Sequence, residues 1–211
     1  SYLCARGSKP ILQHRLGPQA RIETLAYGEA RTVKGVRLSL HPAGHIRGAA
    51  QVRLEKGGYV SVVSGDYKTA PDPTCRPLEP LRCHHFVSES TFGLPIFKWP
   101  SPDKITQEIR AWWDENRAEN RTSVLFAYAL GKAQRILAGL NGGTGPILTH
   151  GAVESVNRLY RAAGVDLPPT RPVGEVRDKV LLAKALVVAP PSADTPGWLR
   201  RFAQPSRAFA S

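Results

Sequence analysis

Apolar and polar positions alternate along much of the first hundred residues. Val36–Leu40 (VRLSL) sends Val, Leu and Leu to one side and Arg and Ser to the other, as a half-buried strand does. Gln51–Glu55 (QVRLE) repeats the pattern. Lys56, Gly57 and Gly58 then lead into Tyr59–Val63 (YVSVV), which predicts a hairpin turning on two glycines. A further strand is predicted over His85–Ser88. The stretch Ala70–Pro80, rich in proline and aspartate, predicts a loop.

Beyond Pro102 the period lengthens. Ile105, Ile109, Trp112 and Trp113 recur at helical spacing, with Ser101 or Asp103 as the cap. An apolar strand over Ser123–Tyr128 and a helix over Gly131–Leu137 follow. Next come a glycine turn from Asn141 to Gly145, a strand over Pro146–Thr149 and a helix from Val153 to Ala163. A last apolar strand, Ala185–Ala189, ends at Pro190 and Pro191. Such alternation implies an α/β layer on a parallel sheet. The chain therefore divides into a β-rich part, 1–102, and an α/β part, 103–211. There is no internal repeat and no low-complexity tract.

Charge adds a partner to this picture. The 29 Lys+Arg oppose 17 Asp+Glu, a formal net charge of +12. A polyanion, most commonly nucleic acid, is the natural partner of such an excess. No apolar run reaches the length of a membrane span, and Ser1–Lys9 lacks a signal-peptide core. These features predict a cytoplasmic protein. Three cysteines, Cys4, Cys75 and Cys83, with no CxxC pair, suit a reduced compartment. Cys83, His84 and His85 are neighbours, but adjacent strand residues point to opposite faces, so burial is expected of Cys83 rather than metal binding. There is no Met at any position, the first included, so the chain is expected to be a processed or trimmed polypeptide.

Three segments at predicted strand ends carry chemistry. His41–Ala50 (HPAGHIRGAA) follows the first strand, Ser64–Tyr67 (SGDY) follows the hairpin, and Ser88–Gly93 (SESTFG) follows the strand at His85. Taken singly, each has a commonplace role: a surface histidine, an aspartate in a turn, a glutamate capping a helix. Taken together they point to a metal site, because ligands offered from the ends of adjacent strands can meet, and imidazole nitrogen and carboxylate oxygen both suit zinc.

Leu40–His45 (LHPAGH) with Gly48–Ala50 resembles the third metal motif of the metallo-β-lactamase fold in its AGHxxGSA form. Val63–Tyr67 (VSGDY) resembles the fourth, and Glu89–Gly93 (ESTFG) the acidic motif of β-CASP nucleases. Thr91–Pro100 (TFGLPIFKWP) and Leu130–Arg135 (LGKAQR) are most similar to the bacterial ligase-associated DNA exonucleases, relatives of the mRNA 3′-end processing factors.

The resemblance implies an α/β fold: a partial metallo-β-lactamase αββα sandwich over 1–102, with a β-CASP α/β domain over 103–211 that would roof a cleft. It implies two Zn²⁺ ions, with His45 as a ligand, Asp66 as the bridging carboxylate and Glu89 orienting a ligand or moving a proton. His41 is expected to support the site or the fold, and His150 to be structural or substrate-facing. Lys132 and Arg135, with Arg200 and Arg201, would track a phosphate backbone. A helix starting near Gly131 would offer N–H groups to a phosphate, and Trp112 and Trp113 offer stacking surface, one of them expected in the core. Arg47 stands where the family has an apolar residue. An HxHxDH motif is expected before Tyr2–Cys4, and further histidine motifs after Ala208–Ser211.

The function implied is metal-dependent hydrolysis of phosphodiester bonds in DNA, as an exonuclease of DNA repair working beside a DNA ligase. The alternatives are an RNA 3′-end processing nuclease, a catalytically incomplete nucleic-acid-binding fragment, and a small-molecule hydrolase. Glu89–Thr91 and the β-CASP segment argue against the last.

Overall fold

The computed structural model describes residues 1–143 and 145–210. They form two compact units, Ser1–Phe97 and Lys98–Ser211, and the fold is mixed α/β. No helix among the described residues is long and apolar enough to cross a membrane.

The first unit opens with β1 (Tyr2–Ala5), helix α1 (Lys9–Leu16) and β2 (Ile22–Leu25). The strands β1 and β2 pair in parallel as a two-stranded sheet. Then follow β3 (Ala30–Val33), β4 (Val36–Pro42), β5 (Ala50–Lys56), β6 (Tyr59–Val63) and β7 (His85–Val87), in that spatial order. The first three pairings are antiparallel and β6–β7 is parallel. Gly57 and Gly58, both at positive φ (56° and 81°), make the β5–β6 turn. Ala5, Leu25 and Leu40 form the core, with Tyr27, Leu38, Ala50 and Val52 packed against it.

The predicted strands at 36–40, 51–55 and 59–63 are all present, and 70–80 is loop. The pattern gave no warning of α1, which is polar on most of its surface and buries only Ile11. It gave none of β3 either, a four-residue strand with no buried position.

The second unit is a five-stranded parallel sheet. Its elements are α2 (Pro102–Ala118), β8 (Ser123–Phe126), α3 (Lys132–Gly139), β9 (Ile147–Thr149), α4 (Gly151–Ala162), β10 (Arg171–Pro172), α5 (Lys179–Lys184), β11 (Leu186–Ala189), α6 (Pro196–Leu199) and β12 (Ser206–Phe209). The spatial order is β10-β9-β11-β8-β12, every pairing parallel. Strands β8, β9 and β11 are buried throughout, as expected of a sheet covered on both faces. Val124, Phe126, Leu148, Leu182 and Val187 belong to the core cluster, with Trp198 packed against it.

Ser101 caps α2, its Oγ accepting from Lys104 N at 3.3 Å. The two tryptophans of α2 part as expected. Trp113 is 1% exposed and donates from Nε1 to Lys184 O at 3.1 Å. Trp112 is half-buried and donates to Ser206 Oγ at 3.0 Å. Trp113 therefore cannot stack on a base. The predicted glycine turn contains Thr144, which lies outside the described residues.

Candidate functional site

Sheet direction explains how three distant segments of the first unit meet. Strands β4 and β6 are both antiparallel to β5, so they run the same way, and β7 is parallel to β6. The carboxyl ends of β4, β6 and β7 therefore share one edge of the sheet. The loop carrying His45 leaves β4, the one carrying Asp66 leaves β6, and the one carrying Glu89 leaves β7.

Backbone bonds tie these loops together. Lys68 N donates to Ala43 O at 3.0 Å, Glu79 N to Pro42 O at 3.1 Å and Ser64 N to Val87 O at 3.0 Å. Gly44 makes the closest approach possible. It sits at φ 72°, and a Cβ there would press on Lys68 O and Leu78 N. Gly48, at φ 80°, packs as closely on Gly7 and Ser8, where Ser8 Oγ donates to Gly48 O at 2.5 Å.

On this edge His45 Nε2 lies 3.8 Å from Asp66 Oδ2, with side chains 42% and 75% exposed. Glu89 turns back on its own loop, its Oε2 accepting from Thr91 N at 2.9 Å. The Thr91 backbone and side chain, with a smaller contribution from His45, hold its carboxyl below the usual range. His41 points elsewhere. Its ring bridges Ser39 Oγ and Glu79 Oε1, both at 3.0 Å, which anchors the 70–80 loop to β4.

Two donors of suitable chemistry, accessible and close enough to share an ion, fit zinc as far as they go; tetrahedral zinc takes four. Among the described residues, no group of three or more His, Cys, Asp or Glu side chains comes together. Cys83, His84 and His85 form no cluster. His84 Nδ1 accepts from Val60 N at 3.0 Å and its ring stacks on Tyr59. Cys83 is half-buried rather than buried; Cys4 is the buried cysteine.

The second unit also gathers chemistry at its strand ends. Beyond β8, exposed Tyr128 lies under Lys132, whose Nζ is 5.4 Å from the ring centroid. Lys132 Nζ also donates to Ala210 O, just past β12, at 3.3 Å. Burial, then the nearby Arg135, pulls the Lys132 pKa down. Lys132 and Arg135 are both half-buried, so neither is a freely solvated side chain of an outer helix face. Beyond β9, His150 caps α4, with Nδ1 accepting from Ala152 N at 3.1 Å. The Trp198 ring lies 5.8 Å from it, and Arg201 stands over Trp198 at 5.4 Å. Tyr128 and Trp198 were not singled out in the sequence. For Tyr128 the available signal was its position just after β8, where aromatic residues usually belong to the core; Trp198, on α6, carried no such signal.

No family model matches the chain. It is 29% identical to the protein named Probable DNA ligase of Opitutus terrae over 94% of this chain and 19% of that protein. It is 33% identical to Endoribonuclease YSH1 of Candida albicans over 56% of this chain and 13% of that one. It is 29% identical to Transcription termination factor FttA of Pyrococcus horikoshii over 74% of this chain and 25% of that one. The chain thus spans a quarter or less of these relatives. The likeness reaches almost its whole length, and the three motif loops stand on one edge. These relatives are β-CASP members of the metallo-β-lactamase family, and this chain is similar to them over the stretches given. In this chain, the edge bearing His45 and Asp66 is the candidate metal centre. The strand-end surface around Tyr128 and Lys132 is a candidate nucleic-acid contact.

Proposed function

We propose that this chain is part of a metal-dependent nuclease that hydrolyses phosphodiester bonds in DNA from an end, in repair beside a ligase. The first unit would be the metallo-β-lactamase part and the second the β-CASP part. The observation that carries the reading is the convergence of His45 and Asp66, from loops some twenty residues apart in sequence, to 3.8 Å. Their exposure leaves both free of the desolvation that would oppose a charged ligand set.

His45 and Asp66 would hold zinc through an imidazole nitrogen and a carboxylate oxygen. Bound zinc supplies a Lewis acid and a water of lowered pKa. Glu89, kept ionised by Thr91, is available to accept a proton at that edge. Lys132 and Arg135 would meet the phosphate backbone, and Tyr128, 66% exposed, would offer a base its ring face.

DNA is favoured because the relative sharing 94% of this chain is named for a DNA ligase. RNA is the second reading, supported by the relatives named endoribonuclease. Matched end-labelled strands of DNA and RNA, incubated with zinc, separate the two. Faster loss of the DNA strand supports the proposal, and loss of RNA alone overturns the choice of substrate. Salt-sensitive binding with no cutting of either strand would favour a binding fragment without catalysis.

A further inference from the structure

The inner faces of α3 and α4 should be apolar, and mostly are: Ala133, Leu137, Val153 and Tyr160 are fully buried. Three polar side chains interrupt them. Gln134 and Asn157 are 0% exposed and Glu154 is 5% exposed. Apolar residues of similar size would hold two helices to a sheet at lower desolvation cost, so helix packing alone does not account for them.

Their bonds lead to the Tyr128–Lys132 turn. Gln134 uses its whole amide. Oε1 accepts from Gly131 N at 2.7 Å, and Nε2 donates to Ala129 O at 3.0 Å and to Asn157 Oδ1 at 2.8 Å. Asn157 Nδ2 reaches Glu154 Oε2 at 3.4 Å. Glu154 in turn accepts from Thr149 Oγ1 at 2.7 Å, Thr170 Oγ1 at 2.6 Å and Arg161 Nη1 at 3.1 Å. The network thus runs from β9, α4 and the segment before β10 to both sides of one turn. Gly131 in that turn has φ 84° and ψ −69°, a conformation that only glycine adopts with ease. Such a turn needs external bonds to stay in one shape.

We propose that Gln134, hung from Asn157 and Glu154, is a positioning residue for nucleic-acid binding: it locks the Tyr128–Gly131 turn so that Lys132 is held over Tyr128 at the strand ends. This rests on the reading of Lys132 as a phosphate contact. A fully satisfied buried network rigidifies what it holds, and here it holds a turn that ends in a half-buried lysine with a strand-end carbonyl as partner.

The test measures binding of a fluorescein-labelled oligodeoxythymidine by anisotropy, its salt dependence, and Tm, for Lys132→Ala, Gln134→Leu and the double variant Gln134→Leu/Asn157→Leu. Replacing both partners of a buried hydrogen bond by apolar groups can be nearly neutral for stability. The double variant should therefore recover the part of the Tm that Gln134→Leu loses by leaving Asn157 Oδ1 unpaired. Binding should stay weakened, roughly tenfold as for the loss of one charged hydrogen bond, with the salt dependence flattened as in Lys132→Ala. Recovery of binding together with Tm would show a packing role and overturn the inference. So would unchanged binding in Gln134→Leu when Lys132→Ala is weakened. Unchanged binding in Lys132→Ala would remove the underlying reading of that face, and the inference with it.

Discussion

His45 Nε2 stands 3.8 Å from Asp66 Oδ2, each carried on a different loop at one sheet edge. If the pair shares one ion, its two contributions to zinc affinity are coupled. His45→Ala and Asp66→Asn should each weaken zinc binding by more than the about 10–100-fold that loss of a supporting residue costs. The double variant should then be little worse than the weaker single, because residues acting as one unit are not additive. Zinc titration with a competing chelator reads this directly; additive losses would mean two independent sites.

The approach of those two loops depends on Gly44. Gly44→Ala places a methyl group against Lys68 O and Leu78 N at φ 72°. Gly65→Ala carries a similar positive φ of 57° but meets nothing closer than Ala50 O at 4.0 Å. Both variants should lose about 1–2 kcal/mol to backbone conformation. Gly44→Ala should lose clearly more, and should weaken zinc binding as well. Denaturant unfolding of the pair provides the comparison.

Lys132 should register as one phosphate contact. Lys132→Ala should weaken oligonucleotide binding at low salt. It should also reduce the slope of log K against log salt by about 0.7 on a single strand or about 0.9 on a duplex. An unchanged slope would place Lys132 away from the backbone.

His150 predicts a pH dependence of stability. Desolvation, then the charge of Arg201, lowers its pKa from 6.5, so the folded state sheds its proton more readily than the unfolded state. From the lowered pKa up to 6.5 the unfolded state binds more protons, and stability rises with pH. Below that window His150 is protonated in both states. The penalty is then complete, and Nδ1 no longer accepts from Ala152 N. His150→Asn keeps a capping oxygen without the titration. Melting curves between mildly acid and neutral pH should show a rising Tm in the parent protein and a flatter one in the variant.

Much of this molecule was legible in the sequence because its signals were local. Alternation at 36–40 and 51–63, the apolar runs at 123–128 and 185–189 and the helical spacing at 105–113 each reflect burial of one face. Motif segments at strand ends were legible for the same reason. Elements stabilised from outside were not. The helix at 9–16 offers almost no apolar face, and β3 has no buried position. Glu89 is expected to act toward the metals, and the bond its carboxylate accepts from Thr91 N is a local one that its place after a strand did not announce. Gln134 read as one more polar helix residue. Its function as a bridge requires Asn157, 23 positions away, and no spacing rule joins those two.

The most direct test of the account is cleavage of an end-labelled DNA strand by the protein and by its Asp66→Asn variant, with zinc supplied or chelated. The account predicts cutting by the parent protein with zinc, and loss of cutting both on chelation and in Asp66→Asn, whose oligonucleotide binding is retained. Equal cutting by Asp66→Asn, or cutting that survives chelation, would contradict it.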